Sequence, residues 1–267
     1  MIEKQQIFPI LLQACPSYLN RYETYIEQNY ENEEERLLYV DIGDFTVHKM
    51  IKEDNDMATI ALIRHGSTHW NKEGRAQGSA DISLDQDGIR QAELLAARLS
   101  MEDWAYIYSS PLARAKETAL IIGEAIGVDV HLDDRLRERF GGLIEGTTEA
   151  ERVAKWGAAW IESDLGLEPI EQVQQRGKAF LEEIMLKHPD EKVLVVAHGA
   201  FIQFNMVHLL ADFPIMNFGN TSMTLLTKLD HQWTCELHNC TQHLGEQQAS
   251  KINIDLSGQK GNGILKT

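Results

Sequence analysis

The chain has 267 residues, 41 acidic against 25 basic side chains, a formal charge of −16 and 43% hydrophobic residues. That length suits one large α/β domain, or an ordinary one with an extension, in a soluble globular protein. The acidic balance and the lack of a long apolar run argue against nucleic acid and membrane as partners, so an anionic ligand must be caught by local positive charge.

Met1 to Cys15 has only a brief apolar core, Ile7 to Leu12, without a basic flank, and no secretory signal is expected. Three cysteines, Cys15, Cys235 and Cys240, make no disulfide framework and suit a reducing cytoplasm. Residues 1–56 differ in pattern from the rest of the chain. Tyr18, Tyr22, Tyr25 and Ile26 recur at helical spacing, and Glu31, Glu33, Glu34 and Glu35 form an acidic run. Leu37–Val40 and Phe45–Val47 read as short strands or a continuing helix, and Lys52–Asp56 as a polar connector. This segment is either an accessory cap over apolar surface or a docking module for a protein partner or a second copy.

A buried strand is expected over Ile60–Ile63, delivering Arg64 and His65 to its carboxyl end, with Gly66 letting the backbone turn away. Asp85 is a plausible N-cap for a helix from Gln86 to Ser100 whose packing face is Ile89, Ala92, Ala96 and Leu99. Trp104–Tyr108 and Asp129–Leu132 are strand candidates. Between them Ser110-Pro111 reads as N-cap and first turn of a helix that ends at Gly127 and carries Arg114 near its start. A glycine-broken loop comes next, Arg137 to Gly146, and then Trp156 and Trp160 at helical i, i+4 spacing. Residues 171–187 form an amphipathic helix. Lys192–Ala197 is the clearest buried strand, ending at His198-Gly199, and a helix runs from Ala200 to Leu210. Strands at Ser222–Lys228 and Gln232–His238 close the domain at an antiparallel edge, and a polar tail begins at Gly245.

Strands alternating with helices predict an α/β fold, a mostly parallel sheet covered by helices on both faces. In such sheets ligands bind at the carboxyl ends of the strands. Arg64-His65, Arg114 and His198 all fall at such ends or in the turns after them. Two guanidiniums can clamp phosphoryl oxygens, a second histidine can add a hydrogen bond, and the amides starting the helix after His198 offer another anion site. A neutral His65 would attack phosphorus, giving a phosphohistidine that water hydrolyses. The leaving alkoxide needs a proton from a carboxyl in the glycine-broken loop, Glu138 or Glu145. No metal or cofactor is required, because the arginines neutralise the charge.

Together these motifs resemble the histidine phosphatase superfamily, also called phosphoglycerate mutase-like. The resemblance spans residues 58 to about 244. It rests on Leu62-Ile63-Arg64-His65-Gly66-x-Thr68-x-x-Asn71, on Arg75-x-Gln77-Gly78-x-x-Asp81-x-x-Leu84 and on Ser109-Ser110-Pro111-Leu112-x-Arg114-Ala115. Arg137-Glu138 with Glu145-Gly146, and Val195-Val196-Ala197-His198-Gly199, complete it. The resemblance implies a three-layer sandwich over residues 57–244, flanked by the extension 1–56 and the tail 245–267. It implies His65 as the phosphorylated residue, Glu138 as proton donor and His198 as the second catalytic histidine. Arg64, Thr68, Asn71, Gln77 and Arg114 would bind a small phosphorylated metabolite.

Ser67 departs from the family's usual Glu or Gln, the aromatic-glycine pair of the acid loop is displaced to Phe140-Gly141-Gly142, and Ile144 replaces a common tryptophan. His69 matches no motif position and reads as a surface residue. Cys235, His238, Cys240 and His243 have metal-ligand chemistry, but strand alternation sends Cys235 and His238 to opposite faces. Because Thr148–Asp164 is mixed or acidic, a phosphatase is preferred over a phosphoglycerate mutase. An interaction protein built on the same fold is the third reading.

Overall fold

The computed structural model describes residues 37–42, 45–50, 58–210, 212–229 and 232–245. The chain divides into two units, residues 1–55 and 56–267. In the first, β1 (Leu37–Ile42) and β2 (Phe45–Met50) pair antiparallel, Leu37 opposite Met50 and Ile42 opposite Phe45. That pairing settles for strands a stretch whose apolar pattern alone was ambiguous with helix. The helical spacing of Tyr18 to Ile26, the acidic run at 31–35, the connector at 52–56 and the tail beyond Gly245 lie outside the described residues.

In the second unit the elements run β3 (Ala58–Arg64), α1 (His69–Glu73), α2 (Gln86–Leu99), β4 (Tyr106–Ser109), α3 (Ala113–Ile126) and β5 (Val130–Leu132). Then come α4 (Glu149–Trp156), α5 (Ile170–Lys187), β6 (Lys192–Ala197), α6 (Gly199–Leu209), β7 (Met223–Leu229) and β8 (Gln232–Cys240). The six strands are ordered β5-β4-β6-β3-β7-β8. The first four are mutually parallel, and β7 and β8 continue antiparallel at the edge.

Alternation along the two central strands sends their side chains to two cores. Ile60, Leu62, Val193 and Val195 pack with Val173, Phe180 and Ile184 of α5 and Ile202 and Met206 of α6. Ala61, Ile63, Leu194 and Val196 pack on the other face with Leu95 and Leu99 of α2 and Ala115, Ala119 and Ile122 of α3. The architecture is therefore a three-layer α/β sandwich. Burial on both faces is why β3 and β6 read as unbroken apolar runs. Each large aliphatic side chain so buried contributes about 1.5–3 kcal/mol.

Three local expectations are corrected. The buried stripe of α2 is Gly88, Ala92, Leu95, Ala96 and Leu99, whereas Ile89 faces solvent. Asp85 does cap this helix, accepting from Gly88 N at 2.8 Å. Helix α3 starts at Ala113 rather than Pro111, because Ala113 N is capped across the chain by Asp81 Oδ1 at 2.6 Å. Ser110 Oγ only accepts from Leu112 N, at 3.3 Å. Trp156 and Trp160 do not share a helix. Gly157, at φ 86°, terminates α4, and Trp160 opens a separate 3-10 turn, donating its ring N–H to Glu149 beneath the Arg152 guanidinium.

Candidate active site

Strands β3 and β6 are paired so that Arg64 lies opposite Ala197, and both end at the same level. His65 and His198 are the next residues, and their rings stand 5.2 Å apart, centroid to centroid, at 55°. The main chain of His65 is fixed on both sides: its N–H donates to Ala197 O at 3.0 Å, and its carbonyl accepts from Asn220 Nδ2 at 3.0 Å. Behind it, Gly66 lies against the start of α2. A Cβ on Gly66 would meet the Gly88 carbonyl oxygen at 2.6 Å, and one on Gly88 would meet that of Ser67 at 2.1 Å. Glycine at Gly66 therefore serves close approach of two backbones, and Gly66 N reaches Thr118 Oγ1 of α3 at 3.0 Å.

His65 Nδ1 lies 2.7 Å from the Gly66 carbonyl. A carbonyl can only accept, so Nδ1 carries the proton and Nε2 keeps its lone pair. Burial, then the charges of Arg114 and Arg64, hold the His65 pKa well below 6.5, so the ring is neutral at physiological pH. His198 is fully buried, and neither of its ring nitrogens has a hydrogen-bond partner among the described residues. Burial first, then Arg114, keeps it neutral too.

Arg114 is also fully buried. It donates to Ala80 O at 2.7 Å and to Gly78 O at 2.8 Å, while its Nε stays unpartnered. Desolvation lowers its pKa to about 10, with Glu138 opposing, which leaves it cationic at neutral pH. Arg64 donates one guanidinium N–H to the Phe218 carbonyl, and its Nε is likewise buried without a partner. Two guanidiniums and two imidazoles thus gather at the end of the parallel strands, with buried polar atoms of Arg64, Arg114 and His198 left unpartnered among the described residues. That chemistry fits a phosphoryl group, whose oxygens carry dispersed negative charge.

Glu138 enters from the glycine-broken loop. Its carboxylate accepts from Ala200 N at 3.2 Å and Phe201 N at 2.9 Å, in the first turn of α6, and from Arg139 N at 2.8 Å. This corrects one expectation: these helix amides hold the Glu138 side chain in the structure and are not an open anion site beside His198. The positive end of the helix is a favourable seat for a carboxylate. The other loop carboxylate has a different use. Glu145 Oε1 ties two loops together by accepting from Ser79 N at 2.8 Å and Gly141 N at 2.9 Å.

The remaining residues named from the sequence sit around this cluster. Thr68 and Asn71 cap α1: Asn71 N donates to Thr68 Oγ1 at 3.2 Å and Thr68 N to Asn71 Oδ1 at 3.1 Å. They shape the loop after His65. Gln77 is buried beside Gly78, its side-chain oxygen unpartnered. His69 is exposed, and Ser67 donates to Asp85 at 3.1 Å. The four potential ligands on β8 and beyond do not form a group. Cys240 lies against Arg98, His243 on Thr221, and Cys235 and His238 alternate between the half-buried and exposed faces.

Several supporting residues escaped the sequence reading: Asn220, Thr118, Asp81 as a cap, and above all Glu168 and Arg176. Each acts through a partner distant in sequence, and only Asp81 lies within a recognised motif.

The fold and the site together define an α/β protein with two arginines and two histidines gathered at the carboxyl ends of its parallel strands, a constellation suited to a phosphoryl group. Comparison with known proteins agrees. The model of the histidine phosphatase superfamily (branch 1) matches residues 60–241, and the chain belongs to that superfamily. A metal-independent phosphoserine phosphatase of Arabidopsis thaliana is 30% identical over 213 residues, covering 75% of this chain and 89% of the relative. Phosphoserine phosphatase 1 of Hydrogenobacter thermophilus is 34% identical, covering 71% and 96%. Among solved structures, a mycobacterial glucosyl-3-phosphoglycerate phosphatase in complex with VO3 superposes with a TM-score of 0.63 at 30% identity, covering 68% of this chain and 99% of that one.

Proposed function

We infer that this chain is a metal-independent phosphatase that hydrolyses small phosphomonoesters, phosphoserine-like or phosphoglycerate-like, through a phosphohistidine at His65. The observation that carries this reading is the free lone pair on His65 Nε2 beside the unpartnered nitrogens of Arg64, Arg114 and His198. In the first step Nε2 attacks phosphorus while the bond to the leaving oxygen breaks, and Glu138 gives that oxygen a proton. The phosphorylated ring is cationic, and its Nδ1–H stays on the Gly66 carbonyl. In the second step Glu138 takes a proton from the attacking water, the P–N bond breaks, and phosphate leaves. Arg64, Arg114 and His198 hold the equatorial oxygens throughout. Thr68, Asn71 and Gln77 complete the pocket wall that meets the substrate. The names of the plant, Hydrogenobacter and mycobacterial phosphatases support the substrate class.

A mutase must keep the intermediate dry and hold a bisphosphate, which demands spare cations over the pocket. In the segment 148–164 Arg152 is committed to Glu149 at 3.0 Å and to the Thr147 carbonyl, and Lys155 lies against the Trp156 ring at 4.5 Å. Water should therefore win the phosphoryl group.

No helix among the described residues is long and apolar enough to cross a membrane. Cys235 and Cys240 are free thiols, in keeping with a cytoplasmic location. We assign the chemistry to residues 57–244 and a docking or accessory role to residues 1–56. Given 3-phosphoglycerate and catalytic 2,3-bisphosphoglycerate, the enzyme is expected to release inorganic phosphate and form little 2-phosphoglycerate, as is a chain beginning at Asp56. Isomer formation outrunning phosphate release would make it a mutase, and inactivity of a folded shortened chain would place residues 1–56 in the site.

A further inference from the structure

Glu138 can act as an acid only if its loop, which contains three glycines within six residues, is held still. The side chain that holds it comes from the middle of α5. Arg176 donates to the carbonyls of Arg135 and Arg137, each at 2.6 Å, and to that of Glu138 itself at 3.2 Å. Its remaining N–H groups go to Glu168, at 2.9 and 3.1 Å. Glu168 in turn grips the chain just past the acid. It accepts from Phe140 N at 3.1 Å through its side chain, and its own N–H donates to the Phe140 carbonyl at 2.9 Å. Its carbonyl accepts from Arg139 Nε at 2.6 Å. The backbone from 135 to 140 is therefore clamped on both sides of Glu138 by one guanidinium and one glutamate.

The other end of Glu138, its carboxylate, rests on the first amides of α6. The two supports are joined. Arg176 lies 5.2 Å over the ring of Phe201, whose amide holds the carboxylate. The adjacent Gly177 lets α5 meet α6 so closely that a Cβ there would lie 2.0 Å from Asn205 Oδ1. Arg176 and Glu168 are only 18% and 17% exposed, so their pairing is shielded from bulk solvent more than a surface ion pair is.

We propose that Arg176, braced by Glu168, is the positioning residue for the catalytic acid: it fixes the main chain at Glu138 so that the carboxyl meets the leaving oxygen. The proposal rests on reading Glu138 as the proton donor. It carries a consequence that a merely structural ion pair does not. In the first step a misplaced acid slows only substrates whose leaving group needs a proton, whereas the second step, with Glu138 as base, is common to all of them. An alkoxide leaving group needs one, while 2,4-dinitrophenolate departs without it. Displacement by about 1 Å costs up to ~100-fold.

The test compares kcat/KM, which reports the first step alone, for phosphoserine and for 2,4-dinitrophenyl phosphate in the wild type, Glu138→Gln, Arg176→Met, Arg176→Lys and Glu168→Gln. Glu138→Gln sets the scale, with an expected loss of about 10²–10⁴ on phosphoserine and little on the aryl ester. Arg176→Met is expected to lose about 10- to 100-fold on phosphoserine, with the aryl ester nearly unchanged. Arg176→Lys should recover only part, because an ammonium cannot span three carbonyls and a carboxylate. Glu168→Gln, which keeps the main-chain contacts to Phe140 and Arg139, is the milder variant should Arg176→Met fold poorly, and it should show the same leaving-group dependence. Equal losses on both substrates in the Arg176 and Glu168 variants, or none on either, would overturn the positioning role while Glu138 keeps its own. Equal losses in Glu138→Gln would overturn the acid assignment and the proposal with it.

Discussion

At the residue scale the site is built from buried side chains, His65, Arg114 and His198. In the proposed mechanism His65 owes its nucleophilicity to one carbonyl, that of Gly66, which claims Nδ1–H and leaves Nε2 bare. Burial beside two guanidiniums then keeps the ring unprotonated. Both site histidines have native pKa values below the ordinary 6.5, so their neutral forms favour the fold above that pH, and the contribution is lost as pH falls toward the native values. The same sign governs activity. Once the ionisations of the substrate's phosphate and of the acid are allowed for, the limb of kcat/KM that reports His65 is expected well below pH 6.5. An enzyme limb centred at 6.5 would mean a solvated, ordinary imidazole and would contradict the buried arrangement.

Arg64, His65, Arg114 and His198 were legible because each is a polar residue abruptly ending a buried run or opening the helix after one. Glu138 was one of two carboxylates that the chemistry allowed, and the resemblance to a family, rather than spacing, chose between them. The structure gives the physical difference: Glu138 sits on the α6 amides, while Glu145 is spent on Ser79 and Gly141. Arg176 and Glu168 left no local signal. Arg176, on an amphipathic helix, reads as part of a solvated face, and Glu168 sits in the irregular stretch just before that helix, so only the folded loop 135–140 reveals what they hold.

At the element scale, the strands and the longer helices were legible from period and length, while their ends were set by contacts from elsewhere. Helix α3 begins where the distant Asp81 caps it, and α4 stops at Gly157 although Trp156 and Trp160 continue a helical spacing. The antiparallel edge followed from two short runs in succession, but the pairing of β1 with β2 did not, since neither run alternates cleanly. The contact between Gly66 and Gly88 sets how closely α2 approaches the end of β3. Gly88→Ala would place a methyl group 2.1 Å from the Ser67 carbonyl oxygen, a backbone atom that cannot swing away. Overpacking of this kind costs about 1–3 kcal/mol. Urea unfolding should show the variant less stable by that amount, although alanine is the better helix former. A gain in stability would mean that the strand end and α2 stand further apart than this contact requires.

At the scale of the whole molecule, a protein of net charge −16 gathers two arginines at one edge of one sheet, where the proposed mechanism needs them to bind a dianion. Four parallel strands bring residues 64, 65, 114 and 198 together from across the chain, and the helices on both faces keep water from the strands beneath them. The helix after β6 carries the seat of Glu138 at its first turn, and β6 is paired with β3, whose end delivers His65. The segment over residues 148–164 spends its cations on its own carboxylate and aromatic rings, and this favours hydrolysis over transfer to a second phosphate site.

The central claim, phosphoryl transfer through His65, is tested most directly by rapid quenching of the 267-residue chain with labelled phosphoserine or an aryl phosphate. The expected result is a transient label that is acid-labile and alkali-stable, maps to His65, and is absent from a folded His65→Ala variant that also lacks turnover. Label on a serine or cysteine, or undiminished hydrolysis by His65→Ala, would contradict it.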